Sequence, residues 1–502
     1  MNEVKELVMV SPTGEDPSHE KPFLSKPILP CSSIDEPFKL SQGFISLPVP
    51  FSFDPKGWPL KLHFTGWRLD HYDLQTWVEH LAPVHQSTWK KAGIFKAILN
   101  STYKIKRNMD LVCGLAEKWC CETNTFVFPW GEATITLEDI TVLGGFSVLG
   151  DSIFSPLESR ELREVKAMLE KERMGICDYS VGCRTVTTKA WMEKFMKSGS
   201  ELEHEAFLVF WLSTYVFNNT SNSSVNEAVF STAIRLARGI QVVLADTVLA
   251  QVYKDLSVLR MKIAALSGLK DVNEIVEVTV MSPFHLVQVW AWERFVELRP
   301  KSNVICSGEP RLARWDDVDC LNVGDMRRVL YSAGQGFVWR PYAMDIKNYV
   351  FPVYNFEIEK WVLVGPDFDD EHGLMSFAMF LSVAKLIGFG TKQNYFPHRV
   401  AMQFGFNQDL QCSCSAGYTI ILENGKWYID YIPPKVSEAD DMRYVKWGKE
   451  SVSHEKQKEK EKEKNVTIRT IFLLRSPFAL FLLCLGMGFL SSHNGFYAHY
   501  NS

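Results

Sequence analysis

Aromatic residues and helix-capping signals alternate closely between Trp77 and Gly150, and this alternation points to a densely packed helical interior. Within that stretch, apolar residues from Leu111 to Trp119 recur on one face of a helix with 3.6 residues per turn. Asn108 stands just before them, where its side chain predicts an N-cap. No catalytic constellation is recognisable among these residues, so the pattern favours a scaffold built for packing and contact.

The composition supports a large folded core. Hydrophobic residues make up 46% of the 502 residues and charged residues 23%, which is typical of a globular protein. Aromatic residues reach 13%, and each buried ring removes a large apolar area from water. We therefore predict a mainly α fold, with one large multi-helix domain and short β-hairpin elements.

Hydrophobic periodicity divides this domain into helices. The first, Leu74–Leu81, is expected to end at Pro83, and Ser87 is expected to cap the next one. A loop is predicted from Gly175 to Lys189. Further helices are predicted at Leu157–Arg173, Glu203–Phe217, Val225–Arg238, Ile240–Leu266, Pro283–Leu298 and Met375–Ile387.

Two local motifs give sharper predictions. Thr136 and Asp139 have the spacing of a capping box, which would open a helix that ends at Gly144. The segment Tyr418–Asp430 predicts a β-hairpin, because Asn424-Gly425 supplies the positive φ angles of a type I′ turn.

The ends of the chain differ from the domain in composition. Residues 1–43 are rich in proline and polar residues and predict a disordered leader, followed by the domain at 44–447. A charged linker at 448–465 precedes an apolar tail at 466–491 and a short end at 492–502. The tail approaches the roughly 20 apolar residues that a spanning helix needs, so we weigh a C-terminal membrane anchor, with the N-terminus in the cytosol, against an interfacial helix or a non-native end.

The sequence has no recognisable catalytic, metal-binding or cofactor-binding motif. The cysteines lack zinc-site spacing and are typical of reduced, buried thiols, and the acidic run Asp367–Gly373 departs from the calcium-loop pattern. The glycines of Gly144–Gly150 and Gly334–Gly336 lack the rest of a phosphate-binding motif, and Lys392 lacks a pyridoxal-phosphate cradle. We therefore predict no catalytic residues, no metal, no cofactor and no small-molecule substrate.

One basic segment remains as a candidate site. Residues 80–109 contain no Asp or Glu, and aromatic residues are interleaved with the basic ones. Such a pattern can follow a phosphate backbone, or it can simply be a solvated rim around buried rings. The net charge of −5 limits any nucleic-acid contact to a local patch. The candidate contact residues are Lys90, Lys91, Lys96, Lys104, Lys106 and Arg107.

Several segments resemble the plant mobile domain family: residues 85–108, 115–159, 198–217, 233–259, 282–300 and 396–410. They follow in order over most of residues 45–445. The resemblance implies a domain found in plant transposable elements and in host genes descended from them. Host members are similar to the maintenance-of-meristems proteins, which are nuclear and act in transposon silencing, gene expression and meristem maintenance with a protein-phosphatase-like partner.

Three functions are therefore compared. The first is a non-catalytic interaction protein of transposon-derived origin with a protein partner and a nuclear location. The second is a nucleic-acid-binding module that uses the 80–109 segment. The third is a pyridoxal-phosphate enzyme, suggested by the "aminotransferase-like" label of the family, which no residue pattern here supports.

Overall fold

A computed structural model describes residues 8–9, 59–128, 130–176, 185–218, 224–267, 275–344, 346–349, 361–362, 373–405, 418–423 and 426–431. Most of the predicted leader, together with the charged linker, the apolar tail and the chain end, lies outside these ranges. Within the described residues, no helix combines the length and the apolar character needed to cross a bilayer. The predicted membrane anchor falls outside the described residues and stays a prediction.

Helices dominate the described chain, as the sequence predicts. In chain order they are α1 (Tyr72–Lys91), α2 (Phe95–Asn100), α3 (Met109–Lys118), α4 (Leu137–Val142), α5 (Arg160–Ile176), α6 (Thr188–Phe195), α7 (Glu203–Trp211), α8 (Phe230–Ala237), α9 (Ala245–Ser267), α10 (His285–Arg294), α11 (Met326–Ser332) and α12 (Leu374–Leu381). A π-helical turn, Leu212–Val216, continues α7. Short 3₁₀ turns occur at Glu227–Val229, Val296–Leu298, Arg311–Trp315, Ala333–Gly336, Pro341–Ala343 and Pro397–Phe404.

The strands form small sheets of two or three strands, and a three-stranded sheet between residues 119 and 133 is buried. They are β1 (Val8–Met9), β2 (Leu60–Phe64), β3 (Trp119–Cys120), β4 (Thr125–Phe128), β5 (Gly131–Ala133), β6 (Val276–Val280), β7 (Trp361–Val362), β8 (Ala384–Gly388), β9 (Thr391–Tyr395), β10 (Tyr418–Glu423) and β11 (Lys426–Tyr431). Strands β3, β4 and β5 make an antiparallel sheet, and β2 pairs in parallel with β6. The pairs β1–β7, β8–β9 and β10–β11 are antiparallel, so the hairpin predicted at Tyr418–Asp430 is confirmed.

Interlocking aromatic rings fill the core between α3, α10 and the β3–β5 sheet. Phe126 lies 5.0 Å from both Trp119 and Trp290, measured between ring centroids. Farther along the sheet, the Trp130 and Phe128 rings stack at 4.5 Å, and Trp130 also contacts Phe337 at 4.7 Å. Tilted, edge-on and stacked ring contacts add stability beyond simple burial, so they fix the relative positions of these elements.

The local capping predictions are confirmed. Asn108 accepts a hydrogen bond from the Leu111 amide at 3.0 Å and starts α3. The Thr136 and Asp139 side chains exchange the bonds of a capping box at the start of α4. Gly145, with φ +76°, turns the chain after this helix. A Cβ atom there would lie 2.6 Å from the Ala97 nitrogen, so only glycine permits the loop to pack on α2.

Several predicted helix boundaries are wrong, and the helix predicted from Ile240 begins at Ala245. Helix α1 continues through Pro83, so Ser87 lies inside the helix and caps nothing. Pro83 and Glu79 are both exposed, and water can therefore bind the Glu79 carbonyl that proline leaves without its helical donor. Trp77 and Trp89 are fully buried on either side, and this burial outweighs the cost of the proline.

The segment Met375–Ile387 is not one helix. Helix α12 ends at Leu381, and the following residues turn into the β8–β9 hairpin. Short apolar runs fit a helix or a strand equally well, so the periodicity could not separate them. Gly390, with φ +71°, supplies the turn between the two strands.

Candidate interaction surface

The first half of the basic segment is exposed at the end of α1 and the start of α2. Lys90, Lys91 and Lys96 point to solvent, and none forms an ion pair within the part of the chain that the structure describes. The Lys90 ammonium lies 5.2 Å from the centroid of the Phe95 ring, a cation–π distance that positions the side chain. These three side chains form the surface that we call the lysine cluster.

One residue of the lysine cluster, Lys91, packs against a glycine of a neighbouring loop. The aliphatic part of Lys91 packs against Gly239, whose φ is +74°. Gly239 follows Arg238, an exposed cation that pairs with the buried carboxylate of Glu205. The lysine cluster therefore lies next to the loop that follows α8. The sequence of residues 80–109 alone does not predict this contact.

The second half of the segment is neutralised by a distant part of the chain. Lys104 lies 3.1 Å from an Asp317 carboxylate oxygen, and Lys106 lies 2.7 Å from an Asp319 oxygen and 3.3 Å from Asp317. The hydrogen bond to Asp319, supported by Asp317, raises the pKa of Lys106, and burial opposes this effect. Both lysines therefore contribute less positive potential than the sequence alone indicates.

Arg107 differs from its neighbours, because it folds inward. It donates a hydrogen bond to the Trp67 carbonyl. Its guanidinium carbon lies 5.1 Å from the Phe64 ring centroid and 5.7 Å from that of Trp67. The six sequence-predicted residues are thus divided between an exposed cluster, a neutralised pair and an inward-facing arginine.

Buried charged groups elsewhere form structural pairs. Arg294 and Asp139 are completely buried, with 2.8 Å between Nη2 and Oδ1, and the Tyr342 hydroxyl donates to the same carboxylate oxygen at 2.6 Å. Burial acts to lower the pKa of Arg294, but Asp139 and Tyr342 outweigh it and raise the pKa. The second oxygen of Asp139 accepts bonds from Thr136, so this carboxylate is fully occupied.

Glu293 forms a second buried centre. Arg311 binds one of its carboxylate oxygens at 2.7 Å, and the Trp315 indole donates to the other at 2.9 Å. Burial would raise the pKa of Glu293, but Arg311 and Arg314 reverse the effect and lower it. A carboxylate that is ionised and saturated with donors cannot act as a general acid or base, so this centre stabilises the fold.

The residues proposed by other motifs have ordinary structural surroundings. Among the described residues, no group of three or more His, Cys, Asp or Glu side chains could hold a metal ion. Gly334 packs against the Trp130 side chain, and Lys392 is exposed on β9. The acidic run Asp367–Gly373 lies outside the described residues except for Gly373.

Comparisons with known proteins agree with the resemblance. The plant mobile domain model matches residues 93–466. Protein MAINTENANCE OF MERISTEMS of Arabidopsis thaliana is 30% identical over 135 residues, which is 24% of this chain and 27% of that protein. A serine/threonine-protein phosphatase 7 long form homolog of the same plant is 22% identical over 350 residues, covering 64% and 23% of the two chains.

Protein MAIN-LIKE 1, also of Arabidopsis thaliana, is 25% identical over 167 residues, covering 30% of this chain and 32% of that protein. The matched segments therefore span about a quarter to a third of the length of each relative. No solved structure matches the chain.

Proposed function

The chain belongs to the plant mobile domain family, and on this premise we propose that it is a non-catalytic interaction protein. Its proposed location is the nucleus, and its proposed processes are transposon silencing, gene expression and meristem maintenance. The similarity to Protein MAINTENANCE OF MERISTEMS supports the last of these. The transposon-derived origin rests on the resemblance of the domain to those of plant transposable elements.

The saturation of the buried carboxylates supports a non-catalytic role most directly. Asp139 and Glu293 are each held by an arginine and by a further donor, from Tyr342 and Trp315 respectively. Active sites usually leave titratable groups with perturbed pKa values open to a cleft. Here the charges are used to join elements of the core, which suits a rigid body whose surface contacts other macromolecules.

A protein-phosphatase-like protein is the proposed partner. One relative of this chain is named as a serine/threonine-protein phosphatase 7 long form homolog, and the matched part covers 23% of that protein. We infer this partner from the similarity to that relative and from the partner that the family resemblance implies.

An affinity purification from dividing plant tissue tests the proposal. The full chain, tagged at its N-terminus, should retain a phosphatase-like protein that a tag-only control does not. Reversing the lysine cluster, with Lys90, Lys91 and Lys96 each changed to Glu, tests whether this surface makes the contact. Failure of the full chain to retain any specific protein would contradict the proposed function.

The exposed lysine cluster favours a second candidate, a nucleic-acid-binding module. Its affinity should fall steeply with salt, with a log–log slope of about −0.9 for each phosphate neutralised on duplex DNA, so about −2.7 for three contacts. The reversed variant should lose this slope. A matched control changes Lys171, Lys262 and Lys301 to Glu, because these lysines are exposed and lie elsewhere. Absence of binding at low salt removes this candidate.

A further inference from the structure

A surface hollow of about 300 Å³ opens between the end of β2 and the start of α1. Its volume is at the lower end of the range for small-molecule sites. Aromatic and aliphatic side chains form part of its wall, and two guanidinium groups and one carboxylate provide its charge. The lining residues are Phe64, Thr65, Trp67, Arg68, Leu69, Asp70 and Arg107.

Arg107 contacts the wall of the hollow through one hydrogen bond and two aromatic rings, and it has no ion-pair partner among the described residues. Its guanidinium is fixed by the Trp67 carbonyl and lies over two aromatic rings, while its Nε atom is buried and has no hydrogen-bond partner. No carboxylate of the described chain forms an ion pair with it. Burial alone lowers its pKa, but an arginine remains charged at neutral pH.

Three buried arginines of the described chain have a carboxylate partner, whereas the half-buried Arg107 has none. Arg294 has Asp139, Arg311 has Glu293, and Arg399 has Glu132 at 2.5 Å. A guanidinium removed from water is costly unless an anion compensates it. What sets Arg107 apart is the absence of a carboxylate partner within the described residues, so an anion that entered the hollow would compensate its charge.

A second unpartnered polar group lies near the hollow. Trp67 and Arg68 also line a separate chamber of about 20 Å³. His71 lines this chamber and is only 8% exposed, yet neither ring nitrogen has a hydrogen-bond partner of acceptable geometry. The Arg68 carbonyl lies near enough to favour its protonated form, although burial dominates and lowers the pKa.

The charge balance of the hollow favours an anion over a cation. Arg68 and Arg107 both line it, and the 20-residue helix α1 begins directly after His71, so its partial positive end lies here. The opposing charge is Asp70, whose carboxylate accepts a hydrogen bond from the Tyr72 amide at 3.2 Å. A guanidinium presents its N–H groups as a planar fork, which matches the oxygens of phosphate and carboxylate.

We propose that this hollow binds a compact oxyanion, the phosphate or carboxylate group of a small organic ligand, with Arg107 as its principal contact. The aromatic wall, whose accessible part is the half-buried Phe64 because Trp67 is only 1% exposed, would receive the apolar part of the ligand. This site is independent of the lysine cluster and of the proposed protein partner, so each can fail without the other.

Calorimetric titration of the full chain with inorganic phosphate, phenyl phosphate and benzoate, at constant ionic strength, tests the site. Phenyl phosphate should bind with a Kd of about 1 mM or lower, since a few charge-assisted hydrogen bonds supply that free energy. It should bind more tightly than inorganic phosphate, because the ring contacts the aromatic wall. Comparison with benzoate separates phosphate from carboxylate recognition.

Two variants and one control make the result decisive. Arg107→Gln removes the central charge, and Leu69→Glu places a carboxylate at the exposed edge of the hollow, where folding is not at risk. Each should weaken binding by at least about tenfold, while Arg160→Gln, on the exposed face of α5, should change nothing. If the circular dichroism spectrum shows that Arg107→Gln does not fold, the affinity of Leu69→Glu tests the proposal. Equal binding by Leu69→Glu, or no binding of any probe well above millimolar concentration, overturns the proposal.

Discussion

Replacing Asp139 with asparagine removes the negative charge that lies 2.8 Å from Arg294 in the core. Asparagine has nearly the same shape and can still accept a bond from the Thr136 amide, so the capping geometry of α4 is kept. Arg294 would stay completely buried without its counter-charge. Breaking a buried pair from one side typically costs about 3–5 kcal/mol, and we expect a loss of unfolding free energy in that range.

Tyr342→Phe isolates one part of this effect. It removes the hydroxyl that donates to Asp139 Oδ1 at 2.6 Å, and a hydrogen bond to a charged group contributes about 1.5–3 kcal/mol. The variant that combines Asp139→Asn with Tyr342→Phe should lose less unfolding free energy than the two single variants lose together, because both changes act on one carboxylate. The difference measures the coupling between Asp139 and Tyr342.

Urea unfolding followed by circular dichroism provides the free energies. Glu164→Gln is the matched control, because it removes one carboxylate from the exposed Arg160–Glu164 pair, whose side chains are 89% and 60% exposed. Solvent screening makes such a pair nearly neutral for stability. A loss in Asp139→Asn no larger than that of the control would refute the reasoning that the Asp139–Arg294 pair is a structural centre.

Two further predictions concern a buried histidine and a glycine. Burial and the neighbouring His85 lower the pKa of His204 to about 3, against about 6.5 when unfolded, so its contribution is complete above pH 6.5 and declines as the pH falls towards 3. His204→Gln should therefore flatten the decrease in Tm between neutral and mildly acidic pH in a fluorescence melting assay; an unchanged pH dependence would contradict this. Gly145→Ala should lower Tm more than Gly199→Ala, because both have positive φ but only Gly145 would place its Cβ 2.6 Å from the Ala97 nitrogen. Equal decreases in the two melting curves would show that the close contact does not matter.

Sequence predictions that depend on hydrogen bonds between near neighbours are accurate, whereas one that is overridden by tertiary packing is wrong. The Asn108 cap and the Thr136–Asp139 capping box depend on bonds within four residues, and the structure confirms both. The predicted end of α1 at Pro83 is wrong because a tertiary effect, the burial of Trp77 and Trp89, overrides a local cost.

The basic segment 80–109 also shows that long-range contacts cannot be predicted from local sequence. The segment 80–109 lacks acidic residues, but Asp317 and Asp319 approach Lys104 and Lys106 from more than 200 residues away. No local pattern predicts such a pairing. Arg107 likewise reads as one more surface cation in the sequence, whereas its stacking on Phe64 depends on β2.

The buried ion pairs also explain why distant parts of this chain fold together. The carboxylates of Glu117, Glu132 and Asp139 all lie near α3 and α4, and their arginine partners come from residues 294–399. Without the C-terminal partners, these carboxylates could not be buried except at a cost that hydrophobic packing would have to overcome. An incorrect docking of the two parts would leave charges unpaired in the same way. The charged centres therefore select one arrangement of the aromatic core, although ring packing supplies most of the stabilising energy.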